Sequence, residues 1–213
     1  MKLFDNKYGL LFAIFGVILQ LIAFFYTDVS LLSLISGVSS IFAVVLCAER
    51  KMIFWPFAWI QLISYVILAF QQRLWGEVGE NIFYAITMIA GMFIWQARND
   101  NNKVIPKILS KDYFKMLMTG CIVTIIILWQ ILDKFTNDTQ PFIDSVTTVP
   151  AIIAQILMIL AYKEQWYFWL IIDVVSIYMW AVADDWCMVS QFIFWTLNCL
   201  YGLKKWNYEV NKI

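Results

Sequence analysis

The chain contains 213 residues, of which 62% are hydrophobic and 14% are charged, and its mean hydropathy is +0.75. A soluble domain of this length cannot bury so much apolar surface, so the composition predicts an integral membrane protein in a lipid bilayer. Positive and negative charges balance and no basic patch stands out, so a nucleic-acid partner is not expected.

Eight apolar runs are each long enough to cross about 30 Å of hydrocarbon as an α-helix. Unbroken apolar runs without a two-residue alternation argue against a β-barrel, so the predicted fold is all-α. The first run is too long for a signal-peptide core and is expected to be retained, and the prolines are expected near the ends of runs. The predicted spans cover residues 9–26, 30–48, 53–71, 78–96, 114–132, 143–162, 166–183 and 186–204.

The lysines and arginines predict the orientation of these spans. With eight spans, 13 of the 15 Lys and Arg residues fall on one side of the membrane, and only Arg73 and Lys134 fall on the other. Loops rich in Lys and Arg face the cytoplasm, so both termini are predicted to be cytoplasmic.

Shifting the sequence by 111 positions against itself reveals an internal repeat, with nine identities in a 41-residue window. Leu and Ile bias alone does not readily produce matched tryptophans and glycines, so we interpret the repeat as a duplication. The identical pairs are Trp55/Trp166, Phe57/Phe168, Ile60/Ile171, Trp75/Trp186, Val78/Val189, Ile82/Ile193, Phe83/Phe194, Gly91/Gly202 and Trp95/Trp206.

The repeat predicts two parallel three-helix units joined by a linker helix, with one extra helix in front. This is the arrangement of SWEET-type sugar transporters. The predicted division is an N-terminal helix, a first repeat, a loop with the linker helix, a second repeat and a cytoplasmic tail, at residues 1–29, 30–96, 97–140, 141–206 and 207–213.

The chain offers little chemistry for metals or catalysis. It has no histidine, and its four cysteines show no paired spacing, so no metal and no cofactor are predicted. Three of the cysteines are expected to be buried small hydrophobic side chains rather than disulfide partners. An enzyme acting on lipids would need paired acids or a histidine base, so the chain is predicted not to be an enzyme.

Polar and aromatic side chains recur at helical spacing on four of the predicted spans. Amides and an acid at membrane depth are costly unless they face a cavity or each other, so these faces predict a substrate site near the midplane. A flat heteroaromatic base would stack on the rings, and the amides with Asp173 would bond ribose hydroxyls. The predicted substrate-binding residues are Gln61, Tyr65, Asn81, Tyr84, Trp169, Asp173, Ser176, Gln191, Trp195 and Asn198.

Several of these residue types have structural alternatives. Bonds between helices are an equal alternative for the four amides, and Gly91 and Gly202 favour close helix packing. Candidate flexible positions for a conformational change are Gly76, Gly79 and Gly91. Tryptophans at span ends are typical of an interfacial belt, which is the interpretation for Trp55, Trp75, Trp95, Trp166, Trp186 and Trp206. The acids interpreted as solvated loop charges are Glu77, Glu80, Asp184 and Asp185.

Two stretches of the chain resemble the PnuC family of vitamin transporters. The first is LWGEVGENIFYAITMIAGMFIW, Leu74 to Trp95, and the second is WYFWLIIDVVSIYMW followed by DWCMVSQFIFWTLNCLYGLKKW, which ends at Trp206. Both carry an amide early in a helix and a glycine followed by tryptophan four residues later, and the resemblance covers residues 30–206. Asn81 stands where family members often have Gln, and Cys187 with Met188 replaces a Gly-acid pair.

The resemblance implies facilitated uptake of nicotinamide riboside, a vitamin B3 form and NAD precursor, across the bacterial inner membrane. It also implies alternating access, trapping of the substrate by a separate cytoplasmic kinase, and a homotrimer. Relatives that carry thiamine or riboflavin are the alternative within the family, and a membrane channel is the alternative of another class. No nucleotide-binding loop is found in the sequence, so ATP-driven transport by this chain is not expected.

Overall fold

The computed structural model describes residues 7–26, 30–71, 75–135, 141–182 and 186–211. Within these ranges the chain forms eight helices and one hairpin of two-residue strands, which confirms the all-α prediction. The helices are α1 Lys7–Tyr26, α2 Leu31–Ala48, α3 Phe54–Gln71, α4 Trp75–Ala97, α5 Lys111–Phe135, α6 Pro141–Ile159, α7 Gln165–Val182 and α8 Trp186–Val210, and the strands are β1 Asn99–Asp100 and β2 Lys103–Val104.

Five segments of the described ranges are long and apolar enough to cross a membrane, and they lie in α1, α2, α4, α5 and α6. A sixth apolar segment, Phe54–Leu68 in α3, is shorter. Local signals set several helix ends: the Ser30 hydroxyl accepts the Ser33 N–H at the start of α2, and Asp112 and Lys134 lie in the first and last turns of α5, where their charges complement the helix dipole.

The prediction that prolines lie near the ends of apolar runs is wrong for Pro150. This residue lies inside α6 and is buried. Proline has no backbone N–H, so the turn preceding it loses one helical hydrogen bond, yet packing on both sides keeps the helix continuous.

The chain divides into two compact units. The first unit contains the chain up to Ile105 together with the segment from Lys204, and in it α2 packs on α1 and α3, and α3 packs on α4. The second unit runs from Pro106 to Leu203, and in it α6 packs on α5 and α7. Helix α8 contributes its last turns to the first unit and its earlier turns to the second.

The α2–α3 turn and the α6–α7 turn have the same backbone conformation. Arg50 and Ala161, which are 111 positions apart, both adopt a left-handed conformation, with φ of 62° and 61°. The N–H after each bonds five residues back, Lys51 to Leu46 at 2.9 Å and Tyr162 to Leu157 at 2.8 Å. This pattern is the Schellman helix end, and both turns carry it at positions related by the shift found in the sequence.

Each of these turns also binds the connection between α4 and α5. In the first unit, the N–H of Val104 donates to the carbonyl of Arg50 at 2.9 Å. In the second unit, the N–H of Lys107 donates to the carbonyl of Ala161 at 2.7 Å, and that of Lys163 donates back to the carbonyl of Lys107 at 3.0 Å. The predicted cytoplasmic loop is therefore an ordered connection fastened to both turns.

The end of α8 packs into the first unit. Nε1 of Trp206 donates to the carbonyl of Cys47 at 3.3 Å, and the Trp206 ring lies 6.1 Å from that of Trp95. Arg50 holds Glu209 by an ion pair of 3.2 Å and also donates to the carbonyl of Val104 at 3.0 Å. The helix thus continues to Val210, beyond the predicted span end at residue 204.

The interpretation of the end tryptophans as an interfacial belt is wrong for the four whose side chains are described. Trp55 and Trp166 are 4% exposed, and Trp95 and Trp206 are fully buried, so all four pack inside the protein instead of facing lipid headgroups. In the first unit Trp95 packs on Phe54 and Trp55. The side chains of Trp75 and Trp186 lie outside the described residues.

Candidate substrate-binding site

The second unit contains a buried carboxylate, Asp173 of α7. Its side chain is 3% exposed, and its Oδ2 accepts a hydrogen bond from the thiol of Cys199 on α8, with the two atoms 3.1 Å apart. Cys199 follows Asn198, which is 2% exposed. The contact therefore joins the two helices at the level of two predicted site residues.

The remaining site residues of α7 flank Asp173 on the same face. Ser176 lies three residues further along the helix and is 3% exposed. Trp169 lies four residues earlier and packs against a hydrophobic cluster of α5, α6 and α7 that includes Phe168 and Ile172. Trp169 thus packs against this cluster in addition to its predicted role in binding substrate.

Gln191 and Trp195 occupy the earlier turns of α8, and both are half-buried. The Trp195 ring lies edge-to-face on Phe192, with centroids 5.1 Å apart. Its Nε1 is buried and has no hydrogen-bond partner among the described residues. A buried indole N–H normally has an acceptor, so this group is suited to donate to a bound solute.

The other four predicted residues lie in the first unit. Gln61 and Tyr65 are half-buried on α3, and Asn81 is 5% exposed on α4. The Tyr84 hydroxyl donates to Oε1 of Glu80 at 2.5 Å. The interpretation of Glu80 as a solvated loop charge is therefore wrong, because this residue lies within α4, is half-buried and is bonded one turn along its own helix.

Sequence reasoning missed two of the groups that contact predicted site residues. One sequence feature could have identified Cys199, namely its position next to Asn198. A stronger feature could have identified Glu80, because the shift of 111 positions aligns it with Gln191, whereas Asn81 aligns with Phe192. Tyr84 matches Trp195 under the same shift, so only the polar position chosen on α4 was one residue out of step with that on α8.

Two side chains interpreted in the sequence, those of Glu77 and Cys187, lie outside the described residues, and so do Asp184 and Asp185. Cys47, Cys121 and Cys199 are buried and free of disulfides, as predicted for three of the cysteines. No group of three or more His, Cys, Asp or Glu side chains suited to a metal occurs in the described ranges.

In each unit taken by itself, the types of side chain predicted for the site suit an aromatic solute with hydroxyl groups. Tryptophan and tyrosine rings provide stacking surfaces, and their faces attract a cationic ring. Carboxylate and amide oxygens accept hydrogen bonds from hydroxyl groups, and amide nitrogens donate to carbonyl groups.

Comparison with known proteins gives matches along most of the chain. The family model of the nicotinamide mononucleotide transporter matches residues 30–208. A Haemophilus influenzae protein named nicotinamide riboside transporter PnuC is 31% identical over 202 residues, which span 92% of this chain and 88% of that protein. The Escherichia coli protein of the same name is 24% identical over 205 residues, spanning 84% of this chain and 86% of its relative.

The fold is also known from a solved structure. The crystal structure of the vitamin B3 transporter PnuC superimposes with a TM-score of 0.83 at 23% sequence identity, covering 97% of this chain and 93% of that one. The helical fold described above is therefore the fold of that structure.

Proposed function

The chain belongs to the nicotinamide mononucleotide transporter family, and from that premise we propose that it carries nicotinamide riboside across the membrane. Its family and its apolar helices make it an integral membrane transporter, which is not an enzyme class. Three relatives that span most of its length, from Haemophilus influenzae, Neisseria mucosa and Escherichia coli, are named nicotinamide riboside transporters.

The observation that carries this proposal is the buried carboxylate of Asp173. Nicotinamide riboside joins a positively charged pyridinium ring to a ribose with several hydroxyl groups. A carboxylate among aromatic rings complements both parts, since it stabilises the cation and accepts hydrogen bonds from hydroxyls. The only hydrogen bond described for Asp173 comes from a thiol, which is a weak donor, so the carboxylate retains capacity for the substrate.

The proposed architecture has eight membrane spans in two parallel, SWEET-like repeats, with both termini in the cytoplasm of a bacterium. The matched helix ends at Arg50 and Ala161 support the duplication. The excess of Lys and Arg on one side supports the orientation.

The proposed mechanism is facilitated diffusion by alternating access, with the two repeats moving about the substrate. A separate cytoplasmic kinase would trap the substrate by phosphorylation, as the family resemblance implies. We extend the proposal to a homotrimer on the family resemblance.

Uptake by proteoliposomes tests the function. The purified protein should take up labelled nicotinamide riboside saturably and without ATP, and excess unlabelled nicotinamide riboside should compete more strongly than thiamine or riboflavin. Stronger competition by thiamine or riboflavin would assign the chain to another vitamin. Uptake that never saturates would instead indicate a channel.

Two substitutions test the site assignment within the same assay. Asp173→Asn and Trp195→Ala should each weaken binding about tenfold, since each removes one strong contact, the carboxylate or the indole. Asp112→Asn, which removes an exposed acid at the start of α5, is the matched control and should leave affinity unchanged. Calorimetry on the purified variants is the second measurement, and wild-type affinity in both site variants would contradict the assignment.

A further inference from the structure

Glu80 is an acid within an apolar membrane segment. It lies near the start of Val78–Ala97, the part of α4 that is long and apolar enough to cross a membrane. Its side chain is half-buried, and its Oε1 accepts the hydroxyl of Tyr84 at 2.5 Å. A charged side chain is costly in such a segment and is usually retained for function.

The bond to Tyr84 fixes the orientation of this carboxylate. An O–H···O⁻ bond to an ionised carboxylate is charge-assisted, and such hydrogen bonds are roughly twice as strong as neutral ones. Because the two residues are four apart on one helix, the bond forms without any other element. The carboxylate and the Tyr84 ring are thereby held side by side on one face of α4.

The internal repeat gives this position a counterpart. Glu80 and Tyr84 correspond to Gln191 and Trp195 of α8, both of which are predicted to bind substrate. The two repeats thus carry the same pair of types, a hydrogen-bonding side chain and an aromatic ring one turn later, but only the first repeat has a negative charge at this position.

Its place in the helix puts Glu80 close to the membrane surface. Helix α4 begins at Trp75, five residues before Glu80, or about 7.5 Å at the helical rise of 1.5 Å per residue. In the proposed orientation this is the end of α4 away from the cytoplasm, where solute is taken up. A carboxylate there remains partly hydrated and raises the local concentration of cations.

We propose that Glu80, oriented by Tyr84, is a specificity-determining residue that selects a positively charged aromatic riboside over an uncharged one. The inference rests on the proposed function, because it concerns the recognition of the same substrate. Negative charge at Glu80 favours the pyridinium cation, and the adjacent Tyr84 ring offers its face to the same positive charge.

The test compares two substrates that differ in charge and little in shape. Nicotinamide riboside is a cation, and its 1,4-dihydro form is neutral, so the ratio of their uptake efficiencies measures charge selection. Glu80→Gln keeps the size of the side chain and its ability to accept from Tyr84. This variant should raise the KM for the cation roughly fivefold to tenfold, as expected for a partly exposed charge, and leave the neutral compound almost unchanged.

Matched variants separate charge from structure. Tyr84→Phe, which keeps the ring and removes the hydroxyl, should weaken selection less than Glu80→Gln. Asp112→Asn removes an exposed acid elsewhere and should leave the ratio unchanged. If Glu80→Gln fails to fold, as judged by size-exclusion chromatography, Glu80→Asp takes its place. Because it retains the charge, it should retain most of the selection.

The outcomes are distinct. A wild-type ratio in Glu80→Gln, or loss of selection in a folded Glu80→Asp, would overturn the role of Glu80 while leaving the transporter assignment intact. Absence of saturable nicotinamide riboside uptake by the wild-type protein would overturn the proposed function and this inference together.

Discussion

Packing against Trp166 determines which residue type fits at position 202, where the chain has glycine. A Cβ built at this position would lie 2.5 Å from Cζ2 of the Trp166 ring, closer than side chains approach one another in proteins. Trp166 is itself 4% exposed, so the ring has little room to move away. The tryptophan at the start of α7 and the glycine of α8 are therefore a matched pair within the second unit.

Gly202→Ala should accordingly destabilise the protein. Overpacking of this kind costs about 1–3 kcal/mol, and the thermal midpoint in detergent should fall. Gly120→Ala in α5 is the matched control, because no atom lies within 4 Å of its added Cβ. The control should be neutral or stabilised by about 0.5–1 kcal/mol, since alanine favours a helix more than glycine does. Equal midpoints for the two variants would contradict the packing argument.

At the residue scale the sequence predicted Asp173 and its neighbours because an acid in an apolar run is costly unless it faces a cavity or a polar partner. It could not predict the Cys199 thiol as the partner of Asp173, since thiols in apolar runs usually behave as small hydrophobic side chains. Glu80 was passed over in favour of its neighbour Asn81 for a different reason. The two residues are adjacent on α4, and helical spacing within α4 does not choose between them, whereas the shift of 111 positions pairs Glu80 with Gln191.

The connecting segment before α7 contains a buried acid, Glu164, that lies outside the predicted membrane spans and has a raised pKa. Glu164 is 5% exposed, and its Oε2 accepts the N–H of Leu109 at 3.2 Å, which fastens the segment leading into α5 to the α6–α7 turn. Burial raises the pKa of Glu164, and the N–H groups of Glu164 and Leu109 with the Lys163 charge oppose that shift without cancelling it. The protonated form is therefore favoured more in the folded protein than in the unfolded one.

The raised pKa of Glu164 sets the sign of a pH effect. Its stabilising contribution is complete below the ordinary value of 4.5 and is lost as pH rises through the higher pKa of the folded state. The thermal midpoint should therefore decline over that interval. Glu164→Gln keeps an acceptor for the Leu109 N–H but cannot ionise, so its midpoint should lack this decline.

Thermal scans at several pH values measure the effect, and the exposed Asp112→Asn variant should keep the wild-type profile. A Glu164→Gln profile parallel to that of the wild type would show that another group is responsible.

At the element scale, an apolar run predicted each of the eight helices in the described ranges, because a segment that crosses hydrocarbon must satisfy its backbone internally. Helix ends were less predictable. The last turns of α8 contain Lys204, Lys205 and Asn207, which an apolar window excludes, although Arg50 and Cys47 hold this part of the helix in place. The burial of the end tryptophans was missed because interfacial and packed tryptophans occupy the same positions in sequence.

At the scale of the whole molecule, the proposed duplication rests on the shift of 111 positions in the sequence, and Arg50 and Ala161 share a backbone conformation at that spacing. That conformation could not have been foreseen at either residue, since glycine or asparagine is the usual occupant of a left-handed helix end. Arg50 is held there by its bonds to Glu209 and Val104. These tertiary contacts override the local preference.

Reporter fusions test the predicted orientation of the entire chain. A fluorescent protein that folds only in the cytoplasm should be bright when fused after Asn211, and a periplasmic phosphatase should be inactive there. The reverse pattern is expected for fusions after Lys134, which lies in the last turn of α5 on the opposite side of the proposed topology. The same signal at both points would mean that the predicted number of membrane crossings between them is wrong by an odd number.

The docking of α8 on the first unit also constrains the order in which the protein can fold during synthesis. Trp206 donates to a carbonyl 159 positions earlier, and at typical elongation rates these two residues leave the ribosome roughly 8 to 30 seconds apart. Until then, Trp95 lacks one of its aromatic neighbours and Arg50 lacks its carboxylate. The helices of the first unit are therefore incompletely packed while the rest of the chain is made. Their packing is completed only when the final turns of α8 have been synthesised.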